Sequence, residues 1–183
     1  LFRSASYVFD TLCEAAWRCG DPGLLFLDTI NRKHPLRHLG EIEATNPCGE
    51  LPLLPYESCN LASVNLAQMT EDKGGQAKIS WNRIRRAVHA ATRFLDNAIE
   101  VNKFPLSEVE EITKKNRKIG LGLMGFAEML IKLGVSYDSV KAVRIAHKVM
   151  SFVNNEATNL SIKLAEERGC YPNWGKSTHA REG

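Results

Sequence analysis

The stretch that decides the fold lies at residues 46–61 and has the sequence NPCGELPLLPYESCNL. It carries two thiols, Cys48 and Cys59, eleven positions apart. Residues 31–56 also contain the prolines Pro35, Pro47, Pro52 and Pro55. Proline fixes φ and removes a backbone donor, so long regular secondary structure is not expected there. Gly49 can adopt dihedral angles closed to other residues, and the sequence therefore predicts a shaped loop that presents the Cys48 side chain.

Polar side chains flank Cys48 at equal spacing. Asn46 and Glu50 lie two positions to either side, and in an extended loop tip such residues share a surface. A general acid or base must lie within hydrogen-bond reach of the proton it moves, so amide, thiol and carboxylate could meet one ligand. Alternatively, Asn46 and Glu50 only satisfy backbone groups of the loop. The residues alone leave both interpretations open.

The composition bounds the class of protein. The chain has 183 residues, of which 44% are hydrophobic, enough for one globular core. The formal net charge is +3 with the two signs interspersed, so no nucleic-acid partner is predicted. The basic residues 114–118 follow acidic ones at 108–111, which is typical of a solvated helix face.

Targeting signals and a disulfide framework are not apparent. No apolar run approaches about eighteen residues, and residues 1–4 do not resemble a secretory signal, so a cytoplasmic protein without membrane contact is expected. Five cysteines is an odd number, which favours reactive or buried thiols over disulfides. Because the chain opens on Leu1, we expect it to be a segment of a longer protein.

Apolar periodicity predicts a helix-rich, mixed α/β fold. The predicted helices are one from Ala5 stopped by Gly20, one capped by Ser80 that ends before Pro105, and the segments Leu106–Lys115, Phe126–Leu133 and Asp138–Arg168. Extended runs are predicted at 24–27, where the pattern also allows the start of a helix, and from 59 to 69. The last helix carries an apolar seam from 143 to 164 for packing. No linker or repeat divides residues 1–183, which are treated as one unit.

Other motifs are weaker. Residues 120–125 match G-x-G-x-x-G, but polar residues precede them where a dinucleotide site needs an apolar strand, so glycines for a tight turn and close packing are favoured. A metal site at His34 and His38 is disfavoured because Pro35 lies between them. Cys13 and Cys19 fall near the apolar face of the first helix, which predicts a core position for both.

The stretch 46–61 resembles the active-site loop of the catalytic chain of ribonucleotide reductase, in particular the adenosylcobalamin-dependent class II. Further matching motifs are GDPG at 20–23, RFLDN at 93–97, NRKIGLG at 116–122 and MGFA at 124–127. The spacing of the two thiols and the run NPCGE favour class II over the iron-dependent class. The resemblance implies that the chain is part of a ten-stranded α/β barrel through which the loop is threaded.

The same resemblance implies a reaction and a role for each residue. A ribonucleoside di- or triphosphate would be reduced to its 2′-deoxy form by thiyl-radical chemistry that adenosylcobalamin initiates. Cys48 would carry the radical, Glu50 would accept the 3′-hydroxyl proton, and Asn46 would hold the ribose hydroxyls. Cys59 would be half of the reducing dithiol, which a thioredoxin-like protein or another dithiol restores.

Several family parts have no match in these residues, among them the second cysteine of the dithiol and most of the cobalamin surface. The chain is therefore expected to act only together with the rest of the reductase chain, and to be inactive alone. The alternative hypothesis is a noncatalytic helical interaction module. It would use the seam 143–164 to bind a partner, with Cys48 as a redox-sensitive thiol.

Overall fold

The computed structural model describes residues 3–72 and 74–182. Their contacts group into two compact units, Leu1–Pro55 and Tyr56–Gly183, which are described separately below. Within the described ranges, no helix combines the length and apolar character needed to cross a bilayer.

The first unit opens with the predicted helix. Helix α1 spans Ala5–Cys19, and the Ser4 side chain accepts a hydrogen bond from the Tyr7 backbone N–H at its start. Gly20 ends it in the left-handed conformation, with φ 82°. The core position predicted for Cys13 and Cys19 is wrong. Both thiols are exposed, because α1 contains no buried residue in this structure.

The strand predicted at 24–27 is also wrong. Residues 24–26 have no regular structure, and Leu27 begins helix α2, Leu27–Lys33. The Phe26 carbonyl accepts hydrogen bonds from the backbone N–H groups of Thr29 and Ile30, so the apolar run ends in the first turn of a helix. An apolar run of four residues fits a strand or a helix start equally well, and here the backbone hydrogen bonds decide.

A short hairpin follows α2 and carries the proline-rich loop. Strands β1, Ala44–Thr45, and β2, Pro52–Leu53, pair antiparallel. The Asn31 side chain anchors the chain before β1, since it accepts from the Ile42 N–H at 2.8 Å and donates to the Ile42 carbonyl at 3.0 Å. The prediction of a shaped loop with little regular structure is confirmed here.

The second unit mixes helices and strands, which confirms the predicted mixed α/β class. Its strands are β3 (Asn60–Asn65), β4 (Thr70–Asp72), β5 (Ala77–Ile79) and β6 (Ile119–Met124). Its helices are α3 (Trp81–Val101), α4 (Ser107–Asn116), α5 (Phe126–Lys132), α6 (Val140–Arg168) and α7 (His179–Glu182). Strands β3 and β6 are parallel, with Asn60 opposite Ile119, and the β4–β5 hairpin, α3 and α4 form the crossover between them.

The core of the second unit lies where α3 and α6 pack with β3 and α5. Its buried members are Val64, Leu66, Ile84, Val88, Met129, Val149 and Val153. The seam predicted on α6 is right at Val153 and its later positions Leu160 and Leu164, but wrong at Val143 and Met150, which are 67% and 48% exposed. Ala142 and Val149, one position earlier, are buried instead. Both sets have helical spacing, so the pattern fixes the helix but not its rotation.

The G-x-G-x-x-G motif does not form a dinucleotide turn. Gly120 and Gly122 lie inside β6, paired with Leu61 and Ser63, rather than after a strand. Gly125 follows β6 and begins α5 with φ 72°. The predicted tight turn is therefore found at Gly125 alone.

Candidate active site

The tip of the β1–β2 hairpin is closed by three hydrogen bonds. The backbone N–H of Asn46 donates to the Leu51 carbonyl at 3.4 Å, and the Leu51 N–H donates to Asn46 Oδ1 at 2.9 Å. The Gly49 N–H donates to the Asn46 carbonyl at 3.0 Å. Gly49 has φ 86°, a conformation that other residues rarely adopt, and this lets the chain reverse directly after Cys48.

This turn brings Asn46, Cys48 and Glu50 together within a few residues of backbone. Cys48 and Glu50 are exposed and Asn46 is partly buried. Asn46 Oδ1 satisfies a loop backbone group, as the alternative interpretation anticipated, whereas Nδ2 of the same amide makes no hydrogen bond with a described residue. The Glu50 carboxylate likewise has no ion pair or hydrogen bond among the described residues. The tip thus places a thiol, an amide donor and a carboxylate within one turn.

Cys59 belongs to the second unit, directly before β3. Its side chain is partly buried, and Sγ lies 3.5 Å from the carbonyl of Asn60. Burial raises the pKa of the Cys59 thiol, the positive charge of Lys118 lowers it, and the negative charge of Glu57 raises it again. The net direction is upward, so the resting group is a neutral thiol at neutral pH. All five cysteines of the chain are free thiols in this structure.

An ion pair between the buried Glu57 and the partly exposed Lys118 acts on the Cys59 thiol and was not predicted from the sequence. Glu57 is 7% exposed, and its carboxylate accepts from Lys118 Nζ at 2.6 Å and from Asn116 Nδ2 at 2.8 Å. Buried charges are usually paired in this way. The available signal was a glutamate at the end of a largely apolar, proline-rich stretch, two positions before a candidate redox thiol.

Two other kinds of candidate site are a metal site and a cavity. In the described part of the chain, no three His, Cys, Asp or Glu side chains are arranged to hold a metal ion. A cavity of about 820 Å³ in the second unit is lined by residues of α3, α4 and α6 and of the segments after α4 and α6, including Asp96, Arg117 and Arg168. The predicted catalytic residues lie elsewhere.

The fold and the loop match known proteins. Residues 3–183 match the family model described as ribonucleotide reductase, barrel domain. The chain belongs to this family. The resemblance stated from the sequence is confirmed, and it extends over almost the whole chain.

Curated relatives of this ribonucleotide reductase segment are much longer than it. It is 52% identical over 179 residues to a protein of Thermoplasma acidophilum named vitamin B12-dependent ribonucleoside-diphosphate reductase, covering 98% of this chain and 23% of the relative. A Mycobacterium tuberculosis protein of the same name is 51% identical, and the match covers 98% of this chain and 25% of that protein. The chain therefore spans about a quarter of the length of these relatives.

A solved structure supports the ribonucleotide reductase fold. The alpha subunit of the class Id ribonucleotide reductase of Actinobacillus ureae matches with a TM-score of 0.76, covering 92% of this chain and 33% of that one. Sequence identity is 22%, so this likeness concerns the fold alone.

Proposed function

We propose that this chain is a segment of a class II ribonucleotide reductase that supplies the radical-bearing loop and one of the two reducing thiols. The observation that carries the proposal is the hairpin tip, which gathers Asn46, Cys48 and Glu50 in one turn with thiol and carboxylate exposed. The names of the relatives that are 52% and 51% identical support B12 dependence and a ribonucleoside diphosphate as substrate. We also infer that β3 and β6 are neighbouring strands of the family's barrel.

Cys48 is the residue of the hairpin tip that would react with the cofactor. Adenosylcobalamin, when bound, supplies an organic radical that can take a hydrogen atom from a thiol. The Cys48 side chain is exposed on a reversed chain, as a group that exchanges a hydrogen atom with a bound molecule must be. The residues that would hold the corrin itself are not assigned within this chain.

The remaining steps use side chains of the chain. The Cys48 thiyl takes the 3′ hydrogen atom of the ribose, and Glu50 accepts the 3′-hydroxyl proton. Asn46 donates from Nδ2 to a ribose hydroxyl, which fixes the distance between sulfur and the 3′ hydrogen. The 2′ hydroxyl takes up a proton from the Cys59 thiol and leaves as water. Glu50 then returns its proton to the 3′ oxygen, and the hydrogen atom returns from Cys48 to the 3′ carbon.

Two electrons and two protons are needed for this net change. Cys59 and a second cysteine outside these residues supply them and become a disulfide. The overall reaction is ribonucleotide plus dithiol giving deoxyribonucleotide, disulfide and water. The neutral thiol favoured by the raised pKa of Cys59 suits it to deliver a proton.

The test uses a full-length reductase carrying this sequence. Cys48→Ser should abolish turnover, and Cys59→Ser should abolish turnover supported by an external dithiol, with circular dichroism unchanged in both. Cys13→Ser and Cys170→Ser are matched controls, since both thiols are exposed and lie outside the loop; they should retain activity. Ordinary activity in Cys48→Ser would reject the proposal, and would favour an interaction module instead.

A further inference from the structure

Cys59 and Lys118 lie side by side at the start of two parallel strands. The β3–β6 register begins with Asn60 opposite Ile119, and Cys59 and Lys118 are the residues directly before this first pair. Continuing the register by one step would set them opposite each other. In a parallel pair, opposed residues project to the same face of the sheet. A Cβ atom built on Gly120, the next residue on that face, would lie 3.6 Å from Cys59 Sγ. The sulfur therefore lies on the face of β6 that Lys118 shares.

Lys118 is held in this position by a chain of buried and partly buried contacts. Its ammonium donates to Glu57 at 2.6 Å, and the Glu57 side chain is fully buried. Asn116 donates to the other carboxylate oxygen at 2.8 Å and accepts from Asn173 Nδ2 at 2.7 Å. Asn173 also donates its backbone N–H to the Lys115 carbonyl at 3.2 Å. The segment after α6 thus fixes the carboxylate, and the carboxylate fixes the ammonium.

The surroundings of Cys59 contain few charges. Among the described residues, Lys118 and Glu57 are the charged groups that act on its thiol. The contacts from the packed helices are neutral: the Leu95 carbonyl of α3 accepts from Asn60 Nδ2, and Thr113 of α4 hydrogen-bonds Ser58. A negative charge that develops on the sulfur would therefore be stabilised by the Lys118 ammonium, the cation that acts on this thiol among the residues that the structure describes.

We propose that Lys118, held by Glu57, is a positioning residue that stabilises the Cys59 thiolate when the disulfide formed in each turnover is reduced. The inference rests on the proposed redox role of Cys59. A thiolate of an external dithiol attacks the sulfur of the second cysteine, the S–S bond breaks, and its electron pair leaves on Cys59 beside the Lys118 ammonium. The second thiol of the reductant then resolves the mixed disulfide, and the two reductant protons end on the two cysteines.

Glu57 has a second effect, opposite in sign. Its negative charge favours the protonated form of Cys59, which delivers a proton during nucleotide reduction. The positive charge of Lys118 favours the thiolate, which is the leaving group when the disulfide is reduced. Removing the Lys118 charge should therefore favour the thiol, and removing the Glu57 charge should favour the thiolate. General loosening of the structure would instead expose Cys59 and favour the thiolate in both variants, because burial is the largest cause that raises its pKa.

The first experiment measures alkylation of Cys59 by iodoacetamide against pH in the pre-reduced full-length reductase, with the Cys59 peptide quantified by mass spectrometry. Lys118→Met should slow the reaction roughly three- to tenfold near pH 8, since one pKa unit is a tenfold change in thiolate fraction. Glu57→Gln should accelerate it, and Lys118→Arg should restore most of the rate. Lys115→Met removes an exposed charge and is the control. An unchanged or faster reaction in Lys118→Met would overturn the inference.

The second experiment separates this inference from the proposed function. Lys118→Met should slow multiple turnover with an external dithiol by a similar factor, and slow the first turnover of pre-reduced enzyme much less. An equal loss of rate in the first turnover and in multiple turnover would overturn the role of Lys118 in disulfide reduction. Turnover retained in Cys59→Ser would reject the redox role of Cys59 itself, whatever Lys118→Met does to alkylation.

Discussion

Arg117 donates to Asp96 through two nitrogens, with Nε 2.9 Å and Nη2 2.7 Å from Oδ1. Arg117 ends α4 in the left-handed conformation, with φ 49°, which an L side chain rarely adopts. The other oxygen of Asp96 accepts from Arg168, at the end of α6, at 2.5 Å. One carboxylate on α3 therefore ties together the turn before β6 and the last turn of α6.

Asp96→Asn should lower the free energy of unfolding by about 1–2 kcal/mol, because charge-assisted hydrogen bonds from two partly exposed arginines are weakened. Urea denaturation measures it. Glu167→Gln is the matched control, since its pair with Arg93 also joins α3 to α6 but is open to solvent. A larger loss in the control than in Asp96→Asn would contradict the structural importance of the Asp96 contacts.

Neighbouring residues of α3 should respond very differently to truncation. Leu95 is 1% exposed and Phe94 is 67% exposed. Leu95→Ala should cost about 2–5 kcal/mol, because it removes buried methyl groups and leaves a cavity. Phe94→Ala should change the unfolding free energy far less, although Phe is the larger side chain. Equal losses by denaturant titration would show that α3 is rotated differently.

The helices of the second unit were predictable because their apolar residues repeat over many turns. Ser139 caps α6 through its side chain, whereas Ser80 precedes α3 as expected but makes no side-chain capping bond and donates to Glu71 at 2.7 Å instead. The α3 prediction ends correctly before Pro105, and α6 ends at Arg168 as expected. The rotation of a helix was harder to predict, since the seam on α6 was wrong at Val143 and Met150. The β4–β5 hairpin was missed, since strands of three residues carry too little alternation to be recognised.

The turn that carries Asn46, Cys48 and Glu50 was predictable because the three residues are close in sequence, and their catalytic roles stay a prediction. The pair of Glu57 and Lys118 was not predictable, because the two residues are 61 positions apart and meet only through the parallel register of β3 and β6. Lys118 was interpreted as part of a solvated basic run. Lys114 and Lys115 do form exposed pairs within α4, but the run continues past the helix into the interior.

The pH dependence of stability should depend on Glu156. The hydrogen bond from Arg85 lowers the pKa of this carboxyl group; burial opposes the shift, and the hydrogen bond with His89 adds to it. When the pKa is lower in the folded state than in the unfolded state, the stabilisation is fully present above the unfolded-state pKa. It is lost as the pH falls through the folded-state pKa. Glu156→Gln should therefore show a shallower loss of stability than the parent between about pH 5 and pH 2. Thermal unfolding midpoints across this range measure it, and parallel curves would contradict the assignment.

Gly125 should be among the least replaceable residues of the second unit. It begins α5 with φ 72°, and a Cβ atom there would lie 2.5 Å from Asn65 Oδ1 and 3.0 Å from the backbone nitrogen of Ala67. Neither atom can move freely, because Asn65 Oδ1 itself accepts the Ala67 N–H at 3.1 Å. Gly125→Ala therefore combines left-handed backbone strain with a steric clash.

Gly134→Ala separates the two costs. Gly134 has φ 64°, but a Cβ atom would meet nothing within 4 Å. Its replacement should cost only the strain of the left-handed backbone, about 1–2 kcal/mol. Gly125→Ala should exceed this by at least about 1 kcal/mol of overpacking. Denaturant titration of both variants compares them, and equal losses would mean that the β3 to α5 junction relaxes around the added methyl group.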